Sequence, residues 1–251
     1  MLENVLRKIE AKHGTFNALD EDLITEQLIA YSAHTRNELS MVVDHIDVSD
    51  VILDIGAHIG TYSIPMAKKA AKGKVWSIEA DLSTYDLLVM NIQENELQDR
   101  ISAYNFLASD GNDNYTQGPG IENNSGANYY LPSKEKSEFR GTDINLWLEE
   151  LNLPDIHFIK LDIEGMEYQV LSSIKEYLIN HRPKLYIEVV QNQLSRMGDT
   201  PQKIQNLLDS IGYRYFVNTY HRNSNEDQYI KTEISDFGFS SFFDVLALPL
   251  K

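Results

Sequence analysis

Two acids at the ends of short apolar runs are the residues of this chain best placed to do chemistry. Asp54 closes a run that begins at Val51, and a loop carrying Gly56, His58 and Gly60 follows it; Glu79 closes a second run, Lys74–Glu79. In parallel α/β sheets a strand, a tight glycine loop and a helix present backbone N–H groups to a ligand, and the strand ends of one β-α-β unit are neighbours. The two oxygens of Glu79 match the diol of a ribose. Ala108-Ser109-Asp110 ends a third run, where an adenine amino group would be met. Together the three ends outline a nucleoside site, with Asp54 toward the far end of the ligand.

Two cofactors compete for this outline. A dinucleotide fingerprint needs G-x-G-x-x-G, so that the backbone can approach the pyrophosphate at the second glycine. Here the order is Gly56-Ala-His58-Ile-Gly60, with no third glycine at the fingerprint spacing. Asp54 would repel a diphosphate. S-adenosylmethionine carries an ammonium and a sulfonium and no phosphate, so the acids favour it. The dinucleotide-dependent oxidoreductase stays as the weaker alternative.

A second cluster lies in Phe158-Ile-Lys-Leu-Asp162-Ile-Glu164-Gly-Met-Glu167. A helix dipole alone accounts for Glu167 at a helix start. Asp162 and Glu164 are costly to bury at a strand end and are expected to face a polar cleft. A carboxylate there can accept a proton from a substrate hydroxyl or help hold a divalent ion. Glu188 is either a loop-capping acid or a third cleft acid, and its otherwise apolar strand favours the cleft. With Asp162 and an amide it could hold Mg²⁺ and a substrate diol; no third ligand is evident, so the metal-free reading is preferred. Lys160 is expected to pair with an acid across the sheet. His34 and Arg36 read as solvated residues in a break between helices, with the cofactor carboxylate within reach of Arg36, and His221-Arg222-Asn223 as a turn.

The elements that must position these groups alternate. Helical spacing covers Glu21–Ala33 and Asn37–Ile46, which form a small N-terminal helical cap over residues 1–47. Over residues 48–251, strands are expected at Val51–Leu53, Lys74–Glu79, Ile101–Ala108, His157–Asp162 and Lys184–Val190. Helices are expected at Thr61–Lys72, Ser83–Asn95, Glu167–Ile179 and after Thr200-Pro201, where a capping hydroxyl precedes proline at the first helical position and Gly212 ends the helix. Tyr213–Thr219 and Ser241–Pro249 complete a seven-stranded, mostly parallel Rossmann-like sheet with a terminal antiparallel hairpin. Residues 109–141, rich in Gly and Asn, break the alternation and read equally as a solvated excursion or a substrate lid. Trp76 and Trp147 are expected to pack in the core or against helices.

Composition narrows the partners. A net charge of −16 opposes binding to nucleic acid or anionic membrane. No apolar run is long enough to span a bilayer. The chain has no cysteine, which excludes disulfides and zinc-thiolate sites and suits the cytoplasm. The expected acceptor is a small molecule or glycan, and the oligomeric state is open.

The segments VILDIGAHIGTYSI, WSIEADLSTYDLLVMNIQEN, GTDINLWLEEL, FIKLDIEGMEYQVL and HRPKLYIEVV resemble, in order and approximate spacing, the FkbM family of S-adenosylmethionine-dependent methyltransferases. The resemblance covers about residues 37 to 190, and K-x-D-x-E-G-x-E is its most distinctive block. It implies a class I methyltransferase fold and methyl transfer to a hydroxyl oxygen of a natural-product or glycan intermediate. By position, Asp54, Gly56, Gly60 and Glu79 would bind cofactor, and Asp162, Glu164 and Glu188 would line the acceptor side. His58 departs from the family, where asparagine is usual; a loop-shaping role is favoured over a catalytic one. A module that binds the cofactor without turnover is the alternative from another class.

Overall fold

The computed structural model describes residues 5–111, 113–137, 139–151 and 155–250. The chain opens with a β-hairpin, β1 (Leu6–Ala11) and β2 (Gly14–Leu19), then α1 (Leu23–Tyr31) and α2 (Arg36–Asp44). The N-terminal cap is therefore a hairpin and two helices, not helices alone. Only Ile9, Phe16 and Ala18 of the hairpin are buried, too few apolar positions to announce two strands.

The sheet is built from β3 (Val51–Ile55), α3 (Ser63–Lys69), β4 (Lys74–Glu79), α4 (Leu82–Glu94) and β5 (Ile101–Asn105) on one side. Asp81 caps α4 by accepting the Thr84 N–H. The expected strand Ile101–Ala108 breaks at Phe106. Its second part, β6 (Leu107–Ser109), leaves the sheet and pairs in parallel with β9 (Phe139–Asp143). With β7 (Asn114–Gln117) and β8 (Tyr130–Ser133) these make a second sheet in the order β6-β9-β7-β8. Residues 109–141 thus carry regular structure rather than a plain loop.

After α5 (Ile144–Leu151) come β10 (Phe158–Leu161), α6 (Glu167–Ser173), α7 (Lys175–His181), β11 (Lys184–Val190), α8 (Gln191–Arg196), α9 (Pro201–Ser210), β12 (Tyr213–Asn218), β13 (Lys231–Ile234) and β14 (Phe242–Pro249). The helix expected over Glu167–Ile179 is two short ones meeting at Ile174. Thr200 caps α9 and Pro201 stands at its first position, as the sequence indicates. The strand order is β13-β12-β14-β11-β10-β3-β4-β5, with β3, β4, β5, β10 and β11 parallel. β14 runs antiparallel between β11 and β12. The sheet has eight strands among the described residues rather than seven; the addition is β13, formed within the connection between β12 and β14.

Alternate residues of the central strands feed two cores. Leu53 packs with Leu148, Val170, Leu171, Ile204 and Leu208 on one face. Ile52 packs with Val42, Ile64, Leu88, Ile92 and Phe16 on the other. Asn91 of α4, fully buried, accepts the Asn17 N–H at 2.7 Å and donates to Asn17 O and Ile59 O, so the hairpin is docked onto the helix beside the glycine loop. Among the described residues no helix is long and apolar enough to cross a membrane.

Candidate active site

The strand order reverses between β3 and β10, and in such sheets ligands bind beyond the carboxyl ends at that switch point. A cavity of about 570 Å³ opens there, a size suited to a cofactor or small ligand. Its walls come from the glycine loop, the ends of β4, β10 and β11, the region before α2, the 121–130 segment and Arg222.

At one end, Ile78, Phe106, Leu107, Ala108 and Tyr130 make an apolar wall around Glu79. Glu79 accepts the N–H of His58 at 2.8 Å and of Asp81 at 2.9 Å. Burial lifts its pKa to about 7 even against these two hydrogen bonds. Two backbone donors fix the carboxylate, and its remaining lone pairs can take a diol. Ser109 and Asp110, expected at the adenine end, do not line the cavity. The Ser109 hydroxyl donates to Gly111 O at 2.5 Å, and Asp110 is exposed. The chain turns off at Phe106, so the three residues before Ser109 line the wall instead.

The glycine loop is braced from behind. Gly56 N–H and Ala57 N–H both donate to Ile78 O at 2.9 Å, so they do not await a phosphate. Gly56 has φ +81° and lines the cavity; Gly60, at φ +91°, packs on Leu88 and does not. His58 has φ +50°, a region asparagine tolerates best among residues with side chains, and its ring makes no hydrogen bond to its own backbone. Its Nε2 lies 2.9 Å from Ser125 Oγ, and its Nδ1 has no partner. Burial lowers its pKa to about 4, leaving the ring neutral.

Asp54, expected to touch cofactor, lies beneath the cavity. It is fully buried and accepts the Ser63 hydroxyl at 2.5 Å, with Lys160 Nζ 3.5 Å from its other oxygen. Burial pushes its pKa up, opposed by Lys160 and Ser63. Lys160 also lies 3.3 Å from Asp162 and donates to Gly56 O at 3.0 Å, so it pairs across the sheet as the sequence suggests. Burial works against its charge, yet Asp162 and Asp54 raise its pKa overall.

At the other end, Asp162, Glu164 and Glu188 come together, each offering an oxygen within 4.8 Å of the others. Burial works against the ionised form of Asp162, but Lys160 holds its pKa below the usual carboxylate range. Glu164 is pushed up to about 8 by burial and by Asp162. Burial, then Asp162 and Asp244, drive Glu188 well upward. Glu167 stays out of the cavity and accepts the N–H groups of Ile163 and Gly165, which holds the turn that presents Glu164.

Two residues of this end were not legible as site residues. His34 lines the cavity edge-on to Tyr62, with Nδ1 unpartnered; burial and Arg222 lower its pKa to about 3. Arg222 lies 3.2 Å from Asp244 and reaches the cavity because its loop is tied to α2, where Asn37 N–H donates to Arg222 O. Arg36, by contrast, pairs with Asp227.

The donor set fits S-adenosylmethionine: an acid for a diol, an apolar wall for a base, and carboxylates rather than phosphate ligands for a cationic end. Fold and site define the class I S-adenosylmethionine-dependent methyltransferases. A family model of the methyltransferase FkbM domain matches residues 54–215, and the chain belongs to that family. Among solved structures it resembles methyltransferase FkbM from Methylobacillus flagellatus KT, at 20% identity and TM-score 0.51 over 81% of this chain and 44% of that one. It also resembles M. jannaschii TYW2 in complex with AdoMet, at 13% identity and TM-score 0.51 over 98% and 86%. At these identities the likeness speaks for the fold. A shorter stretch is 43% identical over 63 residues to "Probable ribosomal RNA small subunit methyltransferase A" of Methanosphaera stadtmanae, 24% of this chain and 22% of that protein.

Proposed function

We propose that this protein transfers a methyl group from S-adenosylmethionine to a hydroxyl oxygen of a small polar acceptor, a sugar, glycan or natural-product intermediate. The observation that carries the reading is one cavity with Glu79 in its apolar end and Asp162, Glu164 and Glu188 at the other. When bound, the cofactor supplies a methyl carbon already activated by a sulfonium. Glu79 would anchor the ribose, and Phe106, Leu107 and Ala108 would exclude water from the base. Methyl transfer needs chiefly alignment and removal of one proton. The carboxylates of Asp162 and Glu164 suit both, since each can accept a hydrogen bond from an acceptor hydroxyl. Residues 121–130 would act as a lid, in support of which Ser125, Asn128 and Tyr130 line the cavity.

A second reading, methylation of RNA, rests on the short match to the ribosomal RNA methyltransferase. The net charge of −16 and the acid-lined cavity favour the hydroxyl acceptor. Incubation with labelled S-adenosylmethionine and fractionated extract of the source organism separates the two. Label in a nuclease-resistant polyol or glycan as a methyl ether is expected; label lost on ribonuclease treatment would overturn the small-acceptor reading. The same proposal places the cysteine-free chain in the cytoplasm.

A further inference from the structure

Carboxylates that close on one another need a counter-charge. Asp162 at the end of β10, Glu164 in the following turn and Glu188 near the end of β11 bring one oxygen each within 4.8 Å of the others. Asp244 faces Glu188 across the β11–β14 register, and Asp54 lies below. Against these acids stand few cations. The Lys160 ammonium is shared between Asp54 and Asp162, and Arg222 pairs with Asp244. Arg196 is exposed at the rim, its guanidinium 3.8 Å from the Tyr129 ring centre.

Hydrogen bonding gives an independent indication. Glu188 is 9% exposed, and its Oε2 receives no donor. Gln193 donates its amide N–H to Glu164 Oε2 at 2.6 Å and leaves its own buried Oε1 without a donor. Buried acceptors that find no donor each cost about 1–3 kcal/mol. Glu188 Oε2 and Gln193 Oε1 are thus acceptors without donors beside three carboxylates, and Lys160 and Arg222 are already engaged by Asp54, Asp162 and Asp244.

We propose that Asp162, Glu164 and Glu188 bind a hard divalent cation, Mg²⁺ or Mn²⁺, with Gln193 Oε1 available as a fourth oxygen. An all-oxygen donor set selects such ions over softer metals, and Mg²⁺ keeps several positions for water or substrate oxygens. Glu164, a cleft acid in the sequence too, joins Asp162 and Glu188 as the third carboxylate through a turn with φ +57° that Glu167 braces. The proposal deepens the methyl-transfer reading and rests on it for the use of the ion, though not for its binding. Two adjacent acceptor oxygens would occupy open positions, and the ion would lower the pKa of the hydroxyl to be methylated, whose proton would pass to solvent water as the methyl is taken and S-adenosylhomocysteine is left. The acceptor class narrows accordingly to vicinal diols and hydroxy-carbonyl compounds, with the carboxylates acting through the ion.

The test titrates chelator-treated full-length protein with Mn²⁺, read by the electron paramagnetic resonance of free Mn²⁺. One ion per chain is expected, displaced by excess Mg²⁺. Glu188→Gln and Glu164→Gln should each weaken binding about tenfold or more. Asp86→Asn, an exposed acid on α4, should leave it unchanged. If Glu188→Gln does not fold by circular dichroism, Glu164→Gln, nearer the surface, carries the comparison. S-adenosylhomocysteine affinity is measured in parallel by calorimetry on metal-free protein. Affinity for S-adenosylhomocysteine without stoichiometric Mn²⁺ binding, or Mn²⁺ binding indifferent to a folded Glu164→Gln, overturns the ion site and leaves the methyl-transfer reading standing. Failure to bind S-adenosylhomocysteine in the metal-free and Mg²⁺-loaded protein alike removes that reading itself.

Discussion

Asp54 and Lys160 face one another across β3 and β10, 3.5 Å apart, with none of the acid and 3% of the lysine exposed. The pair lies under the glycine loop, and the lysine reaches from it to Gly56 O. Breaking a buried pair from one side leaves an uncompensated charge and costs roughly 3–5 kcal/mol. Lys160→Met is therefore expected to lose about that much stability in urea titration. Asp54→Asn, which keeps a partner for Ser63, should lose less. Both should affect S-adenosylhomocysteine affinity mainly through loop order. A Lys160→Met protein as stable as the parent would contradict the pairing.

Glu79 makes a different prediction, a loss of affinity beside a stability cost of about 1–3 kcal/mol, since glutamine leaves one of its two backbone donors without an acceptor. Its ordinary pKa of 4.5 is raised to about 7 by burial. The folded protein therefore holds this proton more tightly than the unfolded chain, and the contribution of Glu79 to stability declines as pH rises from about 4.5 to 7. Diol binding has the reverse sign, since only the ionised carboxylate accepts two hydroxyl donors. Affinity for 5′-methylthioadenosine, which has no group titrating near neutrality, should rise between about pH 6 and 8 in calorimetry. Glu79→Gln should flatten that rise and weaken binding at pH 8 about 10–100-fold, the worth of hydrogen bonds to a charged group. A pH-independent affinity in the parent would remove Glu79 from the diol.

The contrast between Asp54 and Glu79 marks how far the sequence could be read. Strand, glycine loop and terminal acid are local patterns, so β3, β4, the cap of α9 and the cluster at Asp162 and Glu164 were legible. Whether an acid at a strand end points into the cleft or beneath it depends on what packs there, and the ladder that seats Lys160 opposite Asp54 is a tertiary fact. Arg222 reads as a turn residue because its placement needs α2 to grip the loop between β12 and β13. The same reason hides His34, which lines the cavity packed edge-on to Tyr62, a residue distant in sequence. The second sheet was illegible for another reason: its strands are three to five residues long, below the length at which alternation can be detected.

His58 tests the lid. Its backbone at φ +50° suits asparagine, and its ring holds Ser125. His58→Asn should lose only the hydrogen bond, about 1 kcal/mol. His58→Val should lose that and roughly 1–2 kcal/mol of backbone strain as well. Amide exchange in residues 121–130 should quicken in both and in Ser125→Ala, which removes the other half of the contact. Unchanged exchange in all three would show that the contact does not restrain the segment.

The two glycines of the loop should respond unequally, although the sequence presents them alike. A Cβ on Gly56 would stand 1.7 Å from the carbonyl oxygen of Asp162, a backbone atom that no rotamer change can move. A Cβ on Gly60 would meet Leu88 Cδ1 at 3.0 Å and Ile64 Cδ1 at 3.4 Å, and such side-chain tips can yield. Both positions carry positive φ, so each alanine also costs roughly 1–2 kcal/mol. The difference between the variants then isolates the contact between the glycine loop and the turn bearing Asp162 and Glu164. Gly56→Ala should separate those two segments and lose stability and S-adenosylhomocysteine affinity together. Gly60→Ala should remain folded with affinity closer to the parent. Equal losses would mean that strain in the loop, rather than its approach to Asp162, fixes the glycines there.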